Sequence, residues 1–127
     1  MAHRSRLAGF IIDCQDTAAD KAAAFWSAAL GYEAQPAYAE EGAEYADLQG
    51  APAGLNVEVQ RVSHASRVHL DIESDDIDAE AQRLEQLGAR RIGFVKRWWV
   101  MEAPTGHRFC IVRMRDRSGS APANQWP

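Results

Sequence analysis

The chain has 127 residues, 46% hydrophobic and 25% charged, with a formal net charge of −4 at pH 7. That length fits one domain able to bury a hydrophobic core, and the acidic balance argues against general nucleic-acid binding, which needs a basic footprint. No apolar run approaches the ~20 residues of a membrane span, the charged start has no apolar segment that would make it a signal peptide, and two cysteines are no disulfide framework, so the expected compartment is the cytoplasm.

Residues 1–6 are expected to be loose, with His3 at the surface. A strand over 7–14 follows, and a helix starts near Asp16 or Thr17, either of which can accept a bond from an orphan backbone N–H. The helix carries Ala22, Phe25, Trp26, Ala29 and Leu30 at a spacing of three and four, which predicts one buried stripe. Gly31 suits the residue after the helix, because it enters the left-handed conformation without strain. Candidate strands follow at 32–38 and 45–48, with turns at 40–42 and 49–54, and a strand over 55–62 closes the first half.

A polar joint at 63–67 leads into a strand at 68–73. Asp75 or Asp76 is placed to cap a second helix, whose apolar stripe is Ile77, Ala81, Leu84 and Leu87, and Gly88 ends it. Strands are expected at 92–95 and 98–102, then a Pro104–Gly106 turn and a final strand at 107–114. The segment 116–127 is rich in Ser, Pro, Ala and Gly and is expected to be disordered.

The order is strand, helix, three strands, and then the same again. Such a repeat sets the fold before any single residue does. The expected class is α+β: two βαβββ modules, about 7–62 and 68–115, within one domain, with curled mixed sheets forming one cleft. Strand alternation sorts the residues by face. Phe10, Ile12 and Cys14, then Val57 and Val59, Leu70 and Ile72, and Phe109 and Ile111 are the apolar sets and should pack under the helices. The opposite faces carry Gly9, Ile11, Asp13, Glu58, Gln60, His69, Asp71, Glu73, Cys110 and Val112.

His69 is the central residue of that second set. It is either a strand histidine bonded to a neighbouring acid such as Glu58 or Asp71, or a general base or ligand contact, because histidine titrates near neutral pH. Trp98 and Trp99 are adjacent, so one should join the core and the other, taken as Trp98, should line the cleft and stack on a flat or apolar ligand. Tyr38 and Tyr45 are further candidate walls or surface strand positions. Arg90, Arg91, Lys96 and Arg97 form a solvated hairpin or counter-charges for an anionic ligand. Cys14 and Cys110 are expected as buried free thiols.

Three stretches then carry a resemblance: Asp16 followed by Phe25-Trp26 and Leu30-Gly31; His69-Leu70-Asp71 running to Asp76; and Ala103-Pro104-Thr105-Gly106-His107-Arg108-Phe109-Cys110. In order and spacing the chain resembles the vicinal oxygen chelate superfamily (glyoxalases, bleomycin-resistance proteins and dioxygenases), and within it the small bacterial glyoxalase-like proteins. That resemblance implies a divalent metal held at four positions, here Gly9, Glu58, His69 and Cys110. Gly9 offers no ligand and Cys110 replaces a glutamate, so no cofactor is expected; a metal, if bound, would use Glu58, His69 and Cys110.

The resulting expectation is a small-molecule binding protein without the full metal site, comparable to the bleomycin-resistance branch. Its ligand contacts would be Glu58, Gln60, His69, Asp71, Trp98 and Cys110. The alternative is a metal-dependent or acid/base lyase, isomerase or dioxygenase-type enzyme using His69 and Glu58 as its catalytic residues. The expected partners are a small-molecule ligand and a second copy in a homodimer, with no nucleic acid and no membrane.

Overall fold

The computed structural model describes residues 2–116, 118 and 122–127. Its elements in chain order are β1 (His3–Gln15), α1 (Ala19–Leu30), β2 (Glu33–Ala34), β3 (Tyr38–Glu40), β4 (Ala43–Gln49), β5 (Asn56–Val62), β6 (Arg67–Ser74), α2 (Ile77–Gln86), β7 (Arg90–Val95), β8 (Trp98–Glu102), β9 (Arg108–Arg113) and β10 (Asn124–Trp126). The fold is α+β, as the repeat requires. The chain falls into two compact units, residues 9–69 and residues 1–8 with 70–127.

In the 9–69 unit, β5 returns parallel to β1, with Ile11 beside Glu58 and Asp13 beside Gln60. Strand β4 runs antiparallel to β5, and β2 and β3 both pair with β4. A parallel return needs a crossover, and the helix-containing segment between β1 and β5 supplies it. Helix α1 covers one face of this sheet. Ala19, Ala22 and Ala23 pack there with Ala46, Leu48, Val57, Val59 and Cys14, and Phe10, Ile12 and Trp26 close the margin. Alternation therefore places Ile11, Asp13, Tyr45, Asp47, Glu58 and Gln60 on the other face.

The second unit repeats the plan. Strand β9 returns parallel to β6, and β8 and β7 follow antiparallel. Ile77 and Ala81 of α2 pack on Met101, Phe109 and Ile111, with Ile72, Leu84 and Trp99 around them. Asp76 caps α2 by accepting from the Ala79 N–H at 3.0 Å, one of the two caps the sequence offered.

Several expectations need correction. Residues 3–6 are not loose, because β1 starts at His3 and pairs with β10 at His3–Trp126, Arg4–Gln125 and Ser5–Asn124; residue 1 lies outside the described residues. His3 is buried, and its Nε2 lies 2.7 Å from Oε1 of the fully buried Glu80. The expectation of a disordered 116–127 fails at its end, where β10 forms; part of that segment, 117 and 119–121, lies outside the described residues. Trp126 explains the ordering. Its indole Nε1 donates to Ser5 Oγ at 2.8 Å and its ring lies 3.8 Å under the Arg83 guanidinium.

Helix α1 starts later than either expected cap. Asp16 takes a φ of 49°, and its N–H donates to the Val62 carbonyl at 2.8 Å, which ties it to strand pairing rather than to a helix. Ala18 precedes the helix without a side-chain cap, and Glu44 Oε1 accepts the Ala19 N–H instead, at 3.3 Å. The buried stripe is also rotated. It runs Ala19, Ala22, Ala23 and Trp26, and leaves Phe25 63% exposed.

Candidate functional site

The helix-distal face of the 9–69 unit holds an aspartate that sequence reasoning left among the polar-face residues without a role. Asp13 lies in an otherwise apolar stretch of β1, is only 2% exposed, and its Oδ2 sits 2.7 Å from His69 Nδ1. Arg67 Nε lies 3.8 Å from the same oxygen. With Nδ1–H donated to a carboxylate, a neutral imidazole carries its basic lone pair on Nε2. The other carboxylate oxygen, Oδ1, is buried without a hydrogen-bond partner. A buried polar atom left this way costs about 1–3 kcal/mol, so the position asks for a donor.

Register arranges the rest of the face into rows. Tyr38 of β3 stands beside Tyr45 of β4, Tyr45 beside Gln60 of β5, and Gln60 beside Asp13 of β1. The next row runs Asp47, Glu58 and Ile11. Tyr38 and Tyr45 stack with ring centroids 5.5 Å apart and planes 25° apart. Burial pushes the Tyr38 phenol up to about 12, and the charges of Glu58 and Asp47 push it the same way. Two sequence-predicted contacts, Glu58 and Gln60, thus stand on one face with the tyrosines.

The remaining predicted residues belong to the other unit. Asp71 and Cys110 are register partners on β6 and β9, so a carboxylate-bearing and a thiol-bearing residue stand side by side. Cys110 is buried. Trp99 is the core tryptophan of the pair. It packs beside α2, and its Nε1 donates to Asp78 Oδ1 of that helix at 2.8 Å. Alternation leaves Trp98 on the opposite face of β8. Arg90 pairs with Glu102 and Arg91 with Glu85, so these two charges of the basic cluster are neutralised by neighbours. A separate apolar cavity of about 390 Å³ lies on the helix side of the first sheet, between Phe10, Ile12, Trp26, Tyr32 and Val57.

Residues 9–112 match the model of the glyoxalase-like domain. The chain belongs to that family. The glyoxalase-like fold is shared by solved structures in the vicinal oxygen chelate superfamily. A methylmalonyl-CoA epimerase from Mycobacterium tuberculosis superposes with a TM-score of 0.63 at 16% identity, over 91% of each chain. A hypothetical protein from Bacillus halodurans gives 0.65 at 12% identity, over 89% of this chain and 96% of its own. A variant methylmalonyl-CoA epimerase from Streptomyces coelicolor, in complex with 2-nitronate-propionyl-CoA, gives 0.60 at 19%, over 87% and 98%. No curated protein matches the chain. At these identities the likeness establishes the fold alone.

The glyoxalase-like resemblance implied a metal held at Gly9, Glu58, His69 and Cys110, and the residues present do not fit that set. Gly9 lacks a donor, and the space that a Cβ would occupy is already filled by the Asn56 backbone. The strand approach that pairs Gly9 with Asn56 therefore excludes any side chain at the first position. Cys110 offers a thiol where the family carries an oxygen ligand.

Proposed function

We propose that this glyoxalase-like chain binds a small organic molecule on the helix-distal face of its 9–69 unit, through His69, Glu58 and Gln60, without the full metal set of its superfamily. The observation that carries this reading is Gly9, whose place in the sheet has no room for the first metal ligand. Structural neighbours that act on coenzyme A thioesters support a small-molecule role on this scaffold. We also propose a cytoplasmic homodimer. Cys14 and Cys110 are both buried and neither is in a disulfide, and Phe25, Leu30 and Val68 expose apolar surface that a second copy would cover.

A second reading rests on the Asp13–His69 contact of 2.7 Å. In it His69 accepts a proton through Nε2 from a carbon next to a carbonyl, while Asp13 holds the ring and balances the imidazolium that forms. Such a step suits an isomerase or lyase, and the epimerases among the neighbours favour it.

The deciding experiment is the metal content of the purified protein, joined to thermal-shift titration with Mn²⁺, Ni²⁺, Zn²⁺ and Fe²⁺ on the wild type and His69→Ala. Substoichiometric metal and no shift are expected. Tight, near-stoichiometric binding that His69→Ala abolishes overturns the metal-independent reading.

A further inference from the structure

We propose that the helix-distal face of the 9–69 unit selects a cation carried on a flat ring, such as an aryl amidinium or aryl ammonium, over an anion of the same size. This rests on the small-molecule reading above and supplies its ligand class.

The first support is the charge of the face. Asp47 and Glu58 are register partners on it, Asp13 lies in the next row beside Gln60, and Glu40 lies two residues along β3 from Tyr38. Arg67 is the basic residue found against Asp13. Arg61 alternates to the other face, where its Nη1 donates to Glu44 Oε2 at 2.9 Å. Among the described residues of the 9–69 unit on this face, these carboxylates thus outnumber the guanidinium group of Arg67. Such an excess of negative charge repels anionic ligands and attracts cations.

The second support is the ring pair. Tyr45 is buried and Tyr38 stacks on it while remaining 44% exposed. The inner tyrosine fixes the outer one, so a flat surface is held at the edge of the acidic rows at little further entropy cost. Aromatic faces attract cations through their quadrupole, and they stack on planar ligands. The Tyr38 phenol is pushed up to about 12 by burial and then by the charges of Glu58 and Asp47.

The third support is a single buried atom. Asp13 is almost wholly buried on the same face, one register step from Gln60, and its Oδ1 has no hydrogen-bond partner. A carboxylate oxygen only accepts, so what completes it is an N–H or O–H donor. A cationic N–H is the strongest donor available.

Benzamidinium is the test probe, with benzoate and benzyl alcohol as anionic and neutral controls. Binding is followed by calorimetry and by chemical-shift changes at Gln60 and Tyr38. Benzamidinium should bind at least tenfold tighter than benzoate, and its affinity should fall as salt rises. Asp47→Asn and Glu58→Gln should each weaken it severalfold, and Tyr38→Leu likewise, in variants whose near-ultraviolet dichroism shows them folded. Equal or tighter binding of benzoate or benzyl alcohol at this face overturns the charge selection and leaves the small-molecule reading standing. Silence of all three probes at millimolar concentration overturns the proposed ligand class; the metal titration judges the parent reading separately.

Discussion

Asp13 and His69 come from strands 56 residues apart in sequence, yet Oδ2 of one and Nδ1 of the other lie 2.7 Å apart with Asp13 almost fully buried. Removing one partner of a buried pair leaves an uncompensated charge, which costs about 3–5 kcal/mol. Arg67 near the same oxygen softens the loss, so His69→Ala should destabilise by about 3 kcal/mol in urea unfolding. Asp13→Asn/His69→Ala should recover part of that loss. A cost for His69→Ala below about 1 kcal/mol, within the range of exposed pairs, would show that the contact is not a structural one.

Glu80 contributes to the acid limb. Burial alone pushes its carboxyl up, but hydrogen bonds from Arg83, His3 and Ser5 outweigh it and hold the group below the usual carboxylate range. A depressed carboxyl stabilises the fold above its unfolded pKa of about 4.3, and that contribution disappears as pH falls through the lower folded value. Denaturation free energy should therefore drop below about pH 4.3. Glu80→Gln should flatten this limb, and an unchanged slope in the variant would refute the assignment.

Tyr38 governs the alkaline side. Its phenol, raised to about 12, keeps its proton in the folded chain where an unfolded tyrosine loses it near 10. The stabilisation is complete below pH 10 and is lost as pH rises from about 10 toward 12. Absorbance at about 295 nm should show the Tyr38 phenol titrating late. Glu58→Gln should bring that titration down, since Glu58 is among the charges that raise it.

Gly9 offers the plainest steric test. A Cβ there meets the Asn56 backbone, which cannot move without breaking the β1–β5 register. Gly9→Ala should cost about 3 kcal/mol or more. Gly9→His, which places a donor at the first position of the implied metal set, should unfold the protein rather than create a metal site. A folded Gly9→His that binds Zn²⁺ would overturn both the steric argument and the metal-free reading.

The repeat made the element order legible, because helix and strand periods are local. Alternation also placed Phe10, Ile12, Val57, Val59, Phe109 and Ile111 correctly under the helices, and it separated Trp98 from Trp99. What stayed hidden depends on distant partners. His3 and Ser5 look like a polar start until Glu80 and Trp126 arrive to satisfy them. The cap of α1 comes from Glu44, 25 residues away, and no local pattern announces it. Asp13 was visible as an acid in an apolar strand, but its bond to His69 is set by tertiary pairing. Gly9 was noticed for the donor it lacks; that Asn56 forbids any side chain there is a matter of strand approach alone.

Strand β1 pairs with β10 at its start, so His3 and Trp126 stand side by side in antiparallel register. Residues 3 and 126 are thus neighbours, and a peptide of a few Gly and Ser residues would join the segments that carry them. Opening the ring in the polar joint at 63–66 would turn the order of the chain inside out, starting with β6 and ending with β5. Residues 3–15 would then be an internal strand rather than a leading one, with β10 supplied before it as a template. A permutant that folds with the native spectrum would show that the linear order of this gene is one of several that encode the same molecule.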